Sequence, residues 1–293
     1  MLRQIVSYKN FPIILLAALL AACQSPAPSP ENARVLTDEL GRAIRVKTDP
    51  QRIISLAPSI TEILFALGAG DRIAGVTTFC DYPAETSQKE KVGDTLRPSV
   101  EKIVSLKPDL VIISTSSQLE GFLKKLEEIG IPVYINNPRN IDETISSIER
   151  IGEVIGLQNE SRELASSLRA RVQKVRSRAD SSDHPRVLFM LGTEPLIVPG
   201  RRSFINNLIE EAGGRSVSAD ADADYPQFSY ETALARQPEI IFLQSGEDPL
   251  PDRLKATPAA QAGRVYRLDD ALLLRPGPRI VDGLEQMAAK IHP

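Results

Sequence analysis

From Val35 onward, short runs of consecutive apolar residues alternate with stretches in which apolar residues recur at helical spacing. That alternation is the pattern of an α/β chain. In the first half, Arg52-Ile53-Ile54-Ser55-Leu56 reads as a strand. Ser59-Ile60-Thr61-Glu62 then reads as a capping box, ahead of a helix with Ile63, Leu64 and Leu67 on one face and Gly68 as its stop. Strands follow at 73–76, 110–113 and 131–135, with a helix at 118–129 between the last two. Residues 141 to about 179 carry no strand signal. Asn140 with Glu143 caps the start, Gly156 interrupts, and Leu164, Leu168, Arg171, Val172 and Val175 form a stripe with basic flanks over 160–178. Asp180-Ser181-Ser182-Asp183 ends this stretch, which separates two strand-bearing halves. The second half has strands at 186–191, 239–243 and 264–268. It closes on a helix with Ile280, Leu284, Met287 and Ile291 on one buried face. The resulting divisions are 35–140, a helical connection over 141–184, and 185–293.

The two halves share a repeat. Residues 99–112 (SVEKIVSLKPDLVI) align without a gap with 229–242 (SYETALARQPEIIF), 130 positions on. Each copy reads as a Ser cap, a Glu in the first turn, a short helix, a Pro that stops it, an acid and a buried strand. The Ser hydroxyl accepts from a free backbone N–H, and the carboxylate complements the positive helix end. Either acid alone, Glu101 or Glu231, reads equally well as a helix-start residue. Occurring once in each half, they present two equivalent acidic points, which suits docking onto a two-fold symmetric partner.

Composition narrows the function. The 293 residues, 42% hydrophobic and 25% charged, suffice for two soluble domains. Lys+Arg 35 against Asp+Glu 38 leaves a charge of −3, so no basic field points to nucleic acid. Two histidines cannot form a three-histidine metal site, and no H-E-x-x-H, G-x-S-x-G or G-x-x-x-x-G-K-[ST] string occurs. The chain is therefore expected to be a binding protein and not an enzyme. Arg3 and Lys9 precede an apolar run over 11–20, too short for a permanent membrane span. Leu20-Ala21-Ala22-Cys23 resembles a bacterial lipoprotein lipobox, which implies that 1–22 is a signal peptide and that Cys23 carries lipid. The Pro/Ser-rich residues after it make 23–34 an anchor and tether. With Cys23 lipidated, Cys80 has no disulfide partner.

The strings RIISLAPSITEI (52–63), LFALGAGDR (64–72), Cys80-Asp81-Tyr82-Pro83, EKIVSLKPD (101–109) and Arg275-Pro276-Gly277-Pro278-Arg279-Ile280 resemble the cobalamin and iron-siderophore periplasmic binding protein family. The resemblance covers nearly the whole chain after the tether, and is strongest to cobalamin-binding members. It implies two α/β lobes joined by a single long rigid helix, with the ligand in a cleft between the lobes and only small lobe movements. It further implies an extracytoplasmic, monomeric partner of an ABC permease dimer and its ATPase, with Glu101 and Glu231 meeting permease arginines. No resident cofactor is expected. The ligand that the resemblance implies is a corrinoid, with an iron-siderophore, haem or other metal chelate as the alternative.

For the cleft, the resemblance points to Tyr82 as an aromatic contact, and to Tyr225 where cobalamin binders carry Trp. Arg275 with Asp269 or Asp270 matches a polar pair over the ligand edge, and Pro58 and Phe79 complete the ligand-binding set. The place of a second characteristic Trp falls near Thr95 or Leu96, and this chain has no Trp. Each has a structural alternative. Tyr82 could pin its own turn beside Pro83, Tyr225 and Phe228 could pack the Ser229 helix, Arg275 could cap a helix or meet Asp270, and Phe79 reads as core. Cys80 reads as a small buried hydrophobe. His184 and His292 are not expected to bind a metal. Gly68-Ala69-Gly70 ends a helix and is no dinucleotide fingerprint. Arg201-Arg202-Ser203 reads as solvated surface ahead of a helix. An extracytoplasmic enzyme or a sensor on the same scaffold is the alternative of another class, and the paired acids argue against a sensor.

Overall fold

The computed structural model describes residues 33–114, 120–179, 183–244, 246 and 249–293. The signal segment, Cys23, most of the tether, and the readings on 118–119 and 180–182 lie outside these residues. The first part runs β1 (Ala33–Thr37), β2 (Ala43–Lys47), β3 (Ile53–Ser55), α1 (Pro58–Ala66), β4 (Ile73–Val76), β5 (Glu90–Lys91), α2 (Val100–Ser105), β6 (Leu110–Ser114), α3 (Glu120–Glu128) and β7 (Val133–Asn136). Two long helices follow, α4 (Ile141–Ile155) and α5 (Gln158–Ala179). The rest is β8 (Arg186–Met190), β9 (Gly192–Thr193), β10 (Leu196–Ile197), α6 (Phe204–Glu211), β11 (Arg215–Ser216), α7 (Tyr230–Ala235), β12 (Ile240–Gln244), α8 (Pro258–Gln261), β13 (Val265–Leu268), α9 (Asp270–Leu273) and α10 (Ile280–Ile291).

Two parallel sheets result, ordered β5-β4-β3-β6-β7 and β11-β8-β12-β13. Their strands are apolar on both faces, as strands covered on both sides must be. The period of two divides each strand between two cores. Ile53, Leu110, Ile112 and Tyr134 of the first sheet join Val187, Phe189, Ile240 and Phe242 of the second in one continuous core, with residues of α1, α4, α5, α6 and α10. Ile54, Val111, Ile113 and Val133 face a separate core behind the first sheet. Leu188, Met190, Ile241 and Leu243 do the same behind the second. The shared core ties the two sheets to one helical layer within the body formed by 34–293.

The long helices are fixed from several sides. Asn140 caps α4 reciprocally with Glu143: the Glu143 N–H donates to Asn140 Oδ1 at 2.8 Å, and Asn140 Nδ2 donates to Glu143 Oε1 at 3.0 Å. Gly156 takes φ +79° at the end of α4, where a Cβ would lie 3.0 Å from the Thr48 carbonyl oxygen. α5 spans 22 residues, about 33 Å at 1.5 Å per residue. Leu168, Val172 and Val175 face the shared core. Its arginines reach three neighbours: Arg169 pairs with Glu149 on α4, Arg171 with Asp282 and Glu285 on α10, and Arg176 with Glu211 on α6 and Asp142 on α4. Arg171, placed in the apolar stripe by its spacing, thus lies at the stripe's edge in a network of acids.

The repeat is structural as well as sequential. Ser99 and Ser229 accept from the N–H groups of Lys102 and Thr232 at 3.3 and 3.0 Å. Lys107 and Gln237, at equivalent positions, adopt φ of 48° and 49°. The Arg52 N–H donates to Asp109 and the Arg186 N–H to Glu239, at 2.9 and 2.8 Å. Arg52 Nε meets the Leu106 carbonyl and Arg186 Nε the Gln237 carbonyl, at 2.9 and 2.8 Å. α2 and α7 therefore end beside the amino ends of β3 and β8. Their first turns, with exposed Glu101 and Glu231, point toward the carboxyl edges of the two sheets.

One local expectation is corrected. The N-cap of α1 is Ala57, which offers no side-chain cap, and Pro58 occupies the first turn, where its missing N–H costs nothing. Ser59 and Glu62 are buried, at 4% and 3% exposure, and form no capping box.

Ile151, fully buried in the shared core, and Ile129, half exposed, separate core from surface. Ile151→Ala should lower unfolding free energy by about 2–5 kcal/mol in urea titration, and Ile129→Ala by under about 0.5. Equal effects would contradict a core shared through α4.

Candidate functional site

In an open parallel sheet, ligands bind beyond the carboxyl ends of the strands, where the strand order reverses. In the first sheet that point lies between β3 and β6, and in the second between β8 and β12. A cavity of about 240 Å³ opens at the second, lined by Leu191, Gly192, Leu243, Gln244 and Arg267. The loops leaving the neighbouring strands carry most of the residues expected at the ligand.

The loop after β4 begins at Thr77 and turns through Phe79, Cys80, Asp81 and Tyr82. Phe79 is 57% exposed and Tyr82 47%, so the reading of Phe79 as core is set aside. Cys80 anchors the loop from below. It is buried, and its Sγ lies 3.1 Å from Thr61 Oγ1 and 3.2 Å from Thr77 Oγ1. The Thr78 N–H donates to the Gly93 carbonyl at 2.9 Å, which sets the 93–98 loop alongside. There Asp94 accepts from the Leu96 and Arg97 N–H groups, and Leu96 is left 62% exposed.

The segment between α9 and α10 meets this loop from the other sheet. Arg275 makes a two-pronged contact with Asp81, one arm at 3.0 Å, and its Nη1 lies 3.5 Å from Glu62 Oε1. Arg279 engages Glu62 through both arms, Nε to Oε2 at 2.9 Å and Nη2 to Oε1 at 2.6 Å. The Arg279 guanidinium also stacks 3.8 Å from the Tyr82 ring centre. Gly277 permits the approach, because a Cβ there would lie 3.2 Å from the Ser59 carbonyl oxygen. Two arginines of the second half thus reach across to two acids of the first. Arg275 lowers the pKa of the Asp81 carboxyl, so Asp81 is ionised throughout the neutral range.

Tyr82 and Arg275 are brought together by Asp81 and Arg279. Pro58 lies half-buried beneath, at the start of α1. Asp270 opens α9, whose N-cap is Asp269, and Arg275 reaches across to Asp81 and Glu62. Tyr225 stands apart from this cluster. It is 49% exposed and lines a polar cavity of about 850 Å³ with Asn137, Asn140, Glu143, Arg201 and Arg202. The Arg201-Arg202 segment therefore edges a concave surface as well as capping a helix through Ser203. His184 Nδ1 lies 3.0 Å from the Gly213 carbonyl oxygen, away from the ligand loops. The sequence reading missed Glu62, Asp81 and Arg279. All three lie in strings that carried the resemblance, but pairs 194 and 217 residues apart leave no trace in local spacing.

The chain belongs to the periplasmic binding protein family, which matches residues 53–272. It is 31% identical to the uncharacterized ABC transporter substrate-binding lipoprotein YvrC of Bacillus subtilis, over 96% of this chain and 95% of that protein. Among solved structures, the periplasmic vitamin B12-binding protein BtuF of Vibrio cholerae is similar at 30% identity and a TM-score of 0.73, covering 83% of this chain and 96% of that one. The periplasmic heme-binding protein RhuT from Roseiflexus sp. RS-1 is similar at 30% identity and a TM-score of 0.74, covering 83% and 98%.

Removing the buried Glu62 strands Arg279 without its partner, whereas removing the exposed Asp81 leaves Arg275 within 3.5 Å of Glu62. Glu62→Ala should cost about 3–5 kcal/mol and Asp81→Ala about 0–1, read from urea midpoints at pH 7. Because the Asp81 pKa is depressed, its contribution is present above the ordinary carboxylate pKa and disappears as pH falls through the lowered value. The difference between wild type and Asp81→Ala should be constant from pH 5 to 8, begin to shrink as pH falls below about 4, and disappear only once the pH is below the lowered Asp81 pKa. A difference that first appears above pH 6 would contradict the pairing.

Proposed function

We propose that this chain captures a corrinoid or related metal chelate outside the cytoplasm and delivers it to the permease of an ABC importer. Membership of the periplasmic binding protein family and similarity to a substrate-binding lipoprotein and to a vitamin B12-binding protein support this reading. The site suits a large, partly apolar disc. Phe79, Tyr82, Leu96 and Leu274 offer exposed apolar faces near a polar clamp. Cys23 carries the lipid that retains the protein at the membrane, and one monomer serves one permease dimer.

The observation that carries delivery is the pair Glu101 and Glu231. Both are exposed in the first turns of repeated helices, on the side of the ligand loops. Glu101 accepts a hydrogen bond from Ser99 Oγ at 3.2 Å, while Ser229 turns to Thr232. Ser105 and Ala235 stand four residues on, so neither acid has a helical ion-pair partner there. Each is placed to meet a cation on one permease subunit. A second reading is haem or an iron-siderophore as ligand, and its haem branch draws support from the equal identity to the heme-binding protein RhuT.

Glu101→Lys with Glu231→Lys should abolish complex formation with the cognate permease and uptake into reconstituted vesicles, through like-charge repulsion at two points. Either single reversal should give an intermediate defect, and added salt should weaken the wild-type complex. Ligand titration of the same variants checks that they fold. Normal uptake by the double variant would reduce these acids to helix-start residues.

A further inference from the structure

The charges at the clamp narrow the ligand class, given the functional reading above. We propose that Asp81 is the specificity determinant of the cleft, and that by occupying Arg275 it makes the site favour a macrocyclic chelate with an uncharged, amide-bearing rim over one with free carboxylates.

Two guanidiniums and two carboxylates meet at the mouth, and they sum to zero. Arg279 is committed to Glu62, a carboxylate of 2% side-chain exposure, and its face is covered by Tyr82. Arg275 has the more exposed counter-ion, and both of its arms go to Asp81. Lys91 lies under the same loop, but its Nζ is turned to the carbonyls of Cys80 and Thr86 at 3.1 and 3.2 Å. No cation of the clamp is therefore unpaired. A ligand carboxylate seeking Arg275 must displace Asp81, whose side chain is 64% exposed and whose residue immediately precedes Tyr82 in the chain. The displaced carboxylate then stays within a few ångströms of the incoming one, a like-charge juxtaposition that acts against the anionic ligand. A neutral amide meets no such repulsion. It can hydrogen-bond to either partner at the edge of the intact pair, while the macrocycle lies on the apolar residues around it. Depression of the Asp81 pKa keeps this opposition in force at neutral pH.

Calorimetric titration of cobinamide and cobyrinic acid, the same corrin ring with amide or carboxylate arms, separates charge from shape. Wild type should bind cobinamide at least about tenfold tighter, and Asp81→Asn, which keeps the side-chain shape, should bring the ratio of the two affinities close to one. A ratio unchanged in Asp81→Asn, or a wild type that prefers cobyrinic acid, overturns the proposal. Should neither corrin bind while haem does, the same ratio is read with haem and haem dimethyl ester, and decides the charge claim there. Failure of both macrocycles to bind overturns instead the macrocyclic-ligand reading on which the proposal rests. Circular dichroism of Asp81→Asn guards against a folding defect.

Discussion

The Glu62 carboxylate is the point on which the site's geometry depends. It is buried at the start of α1, where removing a charge from water costs several kcal/mol unless the charge is paired and hydrogen-bonded. Its partners come from the other end of the chain, Arg279 in two-pronged contact and Arg275 at 3.5 Å. To reach it, the 275–279 segment must lie against the first turn of α1, where a Cβ at Gly277 would crowd the Ser59 carbonyl oxygen at 3.2 Å. Once Arg279 is fixed, its guanidinium supports the Tyr82 ring, and Arg275 is left within reach of Asp81. One buried carboxylate thereby sets an aromatic face, a cation and that cation's counter-ion.

That arrangement would not persist if the two sheets moved freely. The continuous core running from β3 and β6 through α4, α5 and α10 to β8 and β12 resists it, as do the arginines that tie α5 to three neighbours. A ligand then meets a preformed surface, and less of the binding free energy is lost to ordering. The repeated helices α2 and α7 are carried on this rigid body. The spacing of Glu101 and Glu231 then rests on the shared core together with the Glu62–Arg279 pair, as the proposed two-point contact with a permease requires.

Much of this was legible in the residues, and the reasons differ by element. The apolar runs at 53–56, 110–113, 186–191 and 239–243 are continuous, as strands buried on both faces read, and their length suits a strand. The Asn140-Glu143 cap and the Gly156 stop rest on local chemistry and appear as read. The two-residue strands β5, β9, β10 and β11 carry no period and were not visible. Ser59 to Glu62 has the letters of a capping box, but Pro58 shifts the helix start and turns Glu62 inward, so its role depends on a partner 217 residues away. Phe79 is apolar and was read as core, yet the anchoring of Cys80 below it leaves the ring outside. Local patterns fixed elements and caps, whereas the site was assembled by contacts between distant loops.

The central claim is that Glu62 holds the two halves in one arrangement. Pulsed electron–electron resonance between spin labels at the exposed positions Ser105 and Ala235, with Cys80→Ser to leave no other reactive thiol in the folded body, measures it directly. One narrow distance distribution is predicted without ligand, broadening when Glu62→Ala is added. A broad distribution already present with Glu62 intact, or one that Glu62→Ala leaves unchanged, would contradict the account.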